Sequence, residues 1–353
     1  MELNKEQITS WLKETDENKL KELFEEADNI RKECVGDEIH LRGLIEFSNC
    51  CYRNCLYCGL RAERTETPRY RMTEDEIVEC AVEADSYGYG SVVLQSGEDF
   101  NVTADMVTSI IKRIKEKTDL AVTLSLGERS YEELNAWRLA GADRYLLRFE
   151  TSNKELFYKI HPPLKNKKCD RFAILKQLRD LKYEVGSGVM IGIPTQTYES
   201  LAEDILKFKE LDLDMIGVGP FIPHQDTPLG KGIIPFLDGE EQVPNTEYMA
   251  YKVIALTRIL CPYTNIPSTT AIATLNKAKG RERGLMSGAN VLMPNLTPIK
   301  YRKLYEIYPA KACIDETAEE CKSCMAMRIK LIGREVGQGK GMSINAEKRW
   351  RRE

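Results

Sequence analysis

Eight short apolar runs recur along the chain, at residues 41–47, 91–95, 121–125, 144–147, 186–191, 215–218, 266–270 and 289–293, separated by amphipathic stretches of helical length. Such alternation predicts right-handed βαβ units and a parallel sheet, because a parallel pair of strands needs a crossover long enough for a helix. Eight strands in series predict an α/β chain closed into a (β/α)8 TIM barrel, with chemistry at the C-terminal ends of the strands. A doubly wound open sheet is the competing arrangement. The intervening stretches carry helix-start signals: Thr73 with Glu76, and Ser130 with Glu133, are capping boxes ahead of Ile77 and Leu134. Before the barrel, Ile8, Trp11, Leu12, Leu20, Leu23, Phe24, Ala27 and Ile30 fall at helical spacing and predict a helical extension over 1–36. The barrel is expected over 37–300. A cysteine-bearing segment over 301–353 follows, ending in a frayed basic tail with Lys348, Arg349, Arg351 and Arg352.

Composition narrows the function. The 51 Lys and Arg against 55 Asp and Glu leave a net charge of −4, no electrostatic case for nucleic acid or an acidic membrane surface as main partner. The longest uncharged stretch, 259–276, holds two prolines and four threonines and makes a poor membrane span. The N-terminus opens on charged residues with no apolar signal region, so a cytoplasmic protein is expected. Eleven cysteines, an odd number in a long chain, favour metal-binding or catalytic thiols over a disulfide scaffold.

Cys51, Cys55 and Cys58, spaced C-x3-C-x2-C, follow the first predicted strand directly. Three thiolates on one short loop can hold a [4Fe–4S] cluster with one iron left open, and an open metal position is where substrate chemistry occurs. Zinc is the competing ligand, but structural zinc takes four protein donors and no histidine stands in this loop. Cys50 is one residue off the spacing and reads as a bystander.

This motif, with Tyr57 just ahead of its last cysteine, resembles that of the radical S-adenosylmethionine (SAM) enzymes. In that family the cluster reduces SAM and breaks its S–C5′ bond to release a 5′-deoxyadenosyl radical. The resemblance implies a SAM site made by Tyr57, Ser96, Gly97, Glu98, Thr123, Ser125, Glu150, Arg171 and Met215. Within it the Ser96-Gly97-Glu98 turn would hold the amino group, Glu150 the ribose, Arg171 the carboxylate and Met215 the adenine.

Longer strings resemble the HydE family of [FeFe]-hydrogenase maturases. They include Asn54–Leu60, Arg69–Thr73, Leu94–Asp99, Val122–Glu128, Gly141–Arg148, Gly219–His224, Ile266-Pro267, Thr269–Ala271 and Met293–Asn295. That resemblance implies a substrate cavity lined by Gln95, Arg148, Thr269, Thr270, Met293 and Tyr308, and a substrate that is a small iron–cysteine complex carrying CO and cyanide. It also implies an external electron donor of flavodoxin or ferredoxin type and other hydrogenase maturases as partners. Two departures stand out: Phe149 where the family has His, which puts the substrate in doubt, and Thr195 where a Gly is expected.

Cys313, Cys321 and Cys324, spaced C-x7-C-x2-C, read as ligands of an accessory iron–sulfur cluster, [2Fe–2S] or [4Fe–4S], with zinc or free thiols as alternatives. Cys34, Cys80, Cys169 and Cys261 are isolated and read as small core residues. The three histidines are isolated too, and His224 lies in a loop that faces the reactive end of a barrel. Competing functions are a sister radical enzyme acting on an amino acid, as methylornithine synthase does, a sulfur-inserting enzyme like biotin synthase, and an iron–sulfur carrier without chemistry of its own.

Overall fold

The computed structural model describes residues 3–164 and 170–351; Cys169 and Arg352 lie outside them. Its strands are β1 (Glu38–Ser48), β2 (Ser91–Ser96), β3 (Ala121–Ser125), β4 (Arg144–Leu146), β5 (Glu184–Ile191), β6 (Met215–Pro220), β7 (Val291–Leu292) and β8 (Glu335–Val336). The sheet runs in the order β6-β5-β4-β3-β2-β1-β7, parallel throughout. Parallel bridges from Met215 to Asn265 and from Pro267 to Val291 join β6 to β7 and close the ring. The predicted run at 266–270 thus supplies a stave of the barrel only through these bridges. Pro267 has no N–H to add to a ladder, and Thr269 is already the N-cap of the helix Thr270–Leu275. Both predicted capping boxes are formed, on the helices Glu74–Ser86 and Tyr131–Ala140.

Side chains alternate across the wall. On β1, Ile39, Leu41, Ile45 and Phe47 join the hydrophobic core beneath the outer helices, which leaves Arg42, Leu44, Glu46 and Ser48 to the interior. The N-terminal helices Lys5–Lys13 and Glu17–Val35 lie against the helix Glu247–Leu260. There Phe24 meets Tyr248 edge-on at 6.1 Å and Lys252 Nζ donates to the Leu12 carbonyl at 2.9 Å. Among the described residues no helix is long and apolar enough to cross a membrane.

The lower end of the barrel is shut by the C-terminal segment. Strand β8 pairs with the start of β1, and the chain then passes beneath the ring. The Gly341 carbonyl accepts from Arg42 (3.3 Å), Arg144 (3.1 Å) and Asn265 (3.2 Å). Ser343 N donates to Glu184, which also takes Arg144 Nε at 2.9 Å. Gly341 has φ +57° and a Cβ there would come within 2.7 Å of the His40 ring, so only glycine fits. Most of the segment read as a frayed tail instead forms the helix Ile344–Trp350, with Arg351 exposed beyond it: Ala346 is buried and Arg349 pairs with Asp214 (2.7 Å) and Asp212 (2.6 Å). A buried carboxylate at the foot of β6 is what holds this basic segment down.

The upper end is hollow. Gln95, Ser125, Arg148, Gly217 and Met293 are half-buried where their neighbours along the wall are buried, Thr269 and Thr270 are both half-buried, and a Cβ on Gly217 would meet nothing nearer than the Ser187 carbonyl at 3.9 Å.

Thr195 sits at φ +74°, a left-handed conformation that suits the glycine expected there. A β-branched residue in that region costs about 1–2 kcal/mol, and part of the gain from glycine is offset by its freer unfolded chain. Thr195→Gly is expected to raise the unfolding free energy by about 0.5–1 kcal/mol, read from the urea midpoint at unchanged slope.

Candidate cluster and cofactor site at the barrel mouth

The loop after β1 carries the first three cysteines and is held by its own polar side chains. Arg69 spreads its guanidinium over four carbonyls, those of Asn49 (2.7 Å), Leu60 (3.0 Å), Arg61 (2.8 Å) and Arg64 (3.0 Å). Asn49 donates to Pro68 and Leu304 carbonyls and accepts from Tyr70 N, each at 2.8 Å. Backbone bonds tie the loop to its surroundings: Leu56 N to Ile160 O (2.8 Å), Gly59 N to Ile307 O (2.9 Å) and Tyr52 N to Glu98 O (2.9 Å). Gly97 is required for the last contact, since a Cβ would strike the Cys50 carbonyl and come within 2.8 Å of Cys51 Cβ. His224 is buried against Gly59, with Glu306 3.3 Å from its Nε2, so it buttresses the cysteine loop.

Cys55 is buried, and Cys51 and Cys58 are half-buried. Burial pushes all three thiols up: Cys51 is raised, Cys58 reaches about 12, and Cys55 goes well above its ordinary value, with the charges of Cys58 and Cys51 adding to the effect of burial on Cys55. Three sulfurs that repel one another's charge in so small a space call for a cationic guest to ionise them, which fits an iron–sulfur cluster. Each sulfur has an N–H or ring nitrogen beside it. Cys51 has the backbone N–H groups of Arg53 and Glu98, Cys58 has Leu60 N at 3.4 Å, and Cys55 has His161 Nδ1 at 2.9 Å. Cys50 turns its Sγ to the Tyr70 carbonyl at 3.7 Å, away from the set. Among the described residues no three His, Cys, Asp or Glu side chains gather closely enough for one metal ion; in a cubane each thiolate instead binds its own iron.

Beneath the loop lies a buried chain of charges. Arg53 donates to Glu98 at 2.9 Å and pairs with Glu128. Glu128 accepts from Arg171 Nε at 3.0 Å, while Arg171 also bonds the Arg148 carbonyl and lies 2.9 Å from His161 Nε2. His161 is held down to about 4 by burial and by the positive charge of Arg171. The Glu98 carboxylate and the Arg171 guanidinium, expected from the resemblance at the amino and carboxylate groups of SAM, are thus both engaged within the protein. Sequence reading gave no role to Arg53, Glu128 or His161: Arg53 lies 45 and 75 residues from its carboxylates and His161 106 from Cys55, beyond any local spacing.

Other predicted residues do converge on the mouth. Tyr57 packs beside Ile160 and Met190, its hydroxyl pushed well up by burial and by the nearby charges of Cys55 and Glu150. Glu150 adopts φ +62°, a strained position of the kind that clusters at functional sites, and its Oε2 lies 3.0 Å from Arg148 Nη2. Gln95 and Ser125 share one level of the wall, with Gln95 Nε2 donating to Tyr305 Oη at 3.3 Å. Arg148 bonds the Val189 carbonyl at 2.5 Å, and Thr269 bonds that of Val218 at 3.1 Å. Thr270 opens its helix, Met293 faces the hollow, and Tyr308, raised by burial and by Glu46, stands within the fields of Arg148 and Arg281. Thr123 lies a step lower on β3, its buried Oγ1 without a partner among the described residues.

Met215 is the clear correction. It begins β6, and its Sδ is 2.7 Å from Arg42 at the plugged floor, so it stands far from where an adenine at the mouth would lie. Phe149 is the second. Its ring faces outward to Phe172 (5.3 Å) and Phe208 (5.7 Å), so the exchange of His for Phe alters helix packing and leaves the cavity's donors untouched. Missed by sequence reading were Glu46, level with Gln95, and its partner Lys311, with Asn295 donating to Glu46 at 2.9 Å.

The turn that carries Glu150 is anchored by Asp204, which accepts from Ser152 N (2.5 Å), Ser152 Oγ (2.6 Å) and Thr151 Oγ1 (3.3 Å). Burial lifts Asp204 to about 7 despite these donors. Between about pH 4 and 7 the folded state therefore holds a proton that the unfolded chain has lost, so this group's contribution to stability falls as pH rises. His40 and His161, both lowered to about 4, slope the other way below their ordinary value, but equally in both proteins. The difference in unfolding free energy, wild type minus Asp204→Asn, should fall from about pH 4 to about pH 7.

The second cysteine group lies on the far side of Lys311. Cys321 is buried on the helix Ala318–Leu331, Cys324 is one turn on, and Cys313 (φ +63°) hydrogen-bonds Cys321 through sulfur. Arg281 sits 3.4 Å from Cys313 Sγ and Arg328 3.3 Å from Cys324 Sγ, and Cys313, Cys324 and both arginines line a cleft of about 210 Å³. The hydrogen bond from Cys321 holds Cys313 down to about 6 and pushes Cys321 up.

The profile of the radical SAM superfamily matches residues 45–219. The [FeFe] hydrogenase maturase subunit HydE of Thermotoga maritima is 49% identical over 319 residues, 90% of this chain and 88% of its own length. The 3-methylornithine synthase of Methanosarcina acetivorans is 25% identical over 293 residues, 82% of this chain and 79% of its own. Among solved structures, methylornithine synthase (PylB) superposes with a TM-score of 0.80 at 23% identity, covering 99% of this chain and 97% of that one. The maturase HydG from Carboxydothermus hydrogenoformans gives 0.72 at 18% identity over 94% and 74%, and both share the fold.

Proposed function

Because the chain belongs to the radical SAM superfamily, we propose that it cleaves S-adenosylmethionine reductively and serves in building the active site of an [FeFe]-hydrogenase. The 49% identity to a HydE maturase over 90% of this chain and 88% of that one carries this reading. A [4Fe–4S] cluster on Cys51, Cys55 and Cys58 would supply one electron to the SAM sulfonium, its open iron taking the amino and carboxylate groups. Around it, Tyr57, Ser96, Gly97, Ser125, Glu150 and Arg171 are assigned to SAM, with the Glu150 carboxylate accepting from ribose hydroxyls. Gln95, Arg148, Thr269, Thr270, Met293 and Tyr308 are assigned to the substrate, a small iron–cysteine complex with CO and cyanide ligands. Arg148 offers such an anionic complex charge-assisted hydrogen bonds, and the plugged floor keeps water from entering beneath it. Cys313, Cys321 and Cys324 are assigned to an accessory iron–sulfur cluster, [2Fe–2S] or [4Fe–4S], whose thiolates Arg281 and Arg328 would balance. The reductant is a flavodoxin or ferredoxin, and the workplace the cytoplasm alongside the other maturases.

The test has two arms. Protein reconstituted without oxygen, given dithionite and SAM, should form 5′-deoxyadenosine; none would leave an iron–sulfur carrier. The gene should then restore a hydrogenase lacking its own maturase; cleavage without rescue would point to a sister enzyme acting on an amino acid.

A further inference from the structure

We propose that His161 is a positioning residue of the first cluster: its Nδ1–H donates a hydrogen bond to the Cys55 sulfur and raises the electron affinity of the centre. The inference rests on the assignment of that cluster to Cys51, Cys55 and Cys58. Its ground is the hydrogen-bond chemistry of one ring. Arg171 Nη2 lies 2.9 Å from His161 Nε2, and a guanidinium can only donate, so Nε2 is the acceptor. A doubly protonated ring would set N–H against N–H. The ring is therefore neutral with its proton on Nδ1, which stands 2.9 Å from Cys55 Sγ. Glu128 Oε1 is 3.7 Å from Nε2, too far to claim a proton there, and it already takes Arg171 Nε at 3.0 Å.

The ring has little freedom to do otherwise. It stacks on Phe157 at 5.0 Å and 28°, and its backbone N–H bonds the Phe157 carbonyl at 2.8 Å. The preceding carbonyl, of Ile160, takes Leu56 N, so the histidine and the residue after Cys55 share one frame. Cys51 and Cys58 have backbone donors, which an alanine substitution leaves in place; Cys55 has a side chain. An N–H···S bond favours the state with more negative charge on sulfur, which is the reduced cluster, and hydrogen bonds to sulfur are among the terms that set such potentials. Glu128, by fixing Arg171, and Arg171, by fixing the tautomer, extend the same chain toward the mouth.

Reconstituted wild type, His161→Ala and His161→Asn are titrated with dithionite and the reduced cluster is followed by electron paramagnetic resonance. The alanine variant should be harder to reduce by about tenfold, about 59 mV for one electron. The asparagine variant, whose amide N–H can stand in for Nδ1–H, should return to within about threefold of wild type. An alanine variant reduced like wild type, or an asparagine variant shifted as far as alanine, overturns the proposal. Should the alanine variant bind no cluster, ¹⁵N-histidine-labelled wild type decides: a ¹⁵N hyperfine coupling on the reduced cluster supports the bond, and its absence refutes it. Failure of wild type itself to bind a cluster would instead sink the assignment of the site.

Discussion

A Cys55→Ala variant, reconstituted without oxygen, is expected to form 5′-deoxyadenosine from SAM and dithionite only at background, while its circular dichroism matches wild type. The loop should keep its course, because Arg69 and Asn49 bind its backbone without help from the thiol. What is lost is one of three sulfur donors, and no neighbouring thiol can replace it. Cys50 is turned to the Tyr70 carbonyl and its own carbonyl is pressed against Gly97. The buried Sγ is small, so its loss leaves a modest void and the effect falls on cluster binding. Retained turnover in this variant would mean that the three-thiol assignment is wrong.

Lys311→Met is expected to cost about 3–5 kcal/mol of stability, the largest effect away from the cysteines. Lys311 and Glu46 form an ion pair inside the barrel with side chains 5% and 1% exposed. Removing the ammonium leaves a carboxylate with only the Asn295 amide, and that penalty exceeds the value of the pair itself. Combining Lys311→Met with Glu46→Gln should recover part of the loss, since the second change removes the stranded charge. Urea unfolding of the two single variants and the double variant measures this coupling. Additive losses would show that the two groups do not sense one another.

The barrel was legible because its walls alternate: six of the eight apolar runs became strands β1 to β6, and the other two became the closing stave and β7. Direction along a strand was legible as well, and it argues against the adenine role given to Met215, the first residue of its run. Parity would likewise have turned Phe149 outward, since its neighbour Arg148 faces in. The C-terminal helix hid behind its charge, because a basic segment reads as solvated until the buried Asp214 beneath it is known. Out of reach were contacts made by the fold alone. His161 lies 106 residues from Cys55, and Lys311 lies 265 from Glu46. Pairs so far apart leave no periodic trace, and they furnish the site's buried electrostatics.

The seal under the ring also sets an order of events. Arg42 on the first stave waits for a carbonyl 299 positions later in the chain, so a ribosome must have delivered every stave before the vessel has a bottom. Until then its inner arginines face solvent through an open tube. Sealing is therefore a late step of maturation for the protein itself.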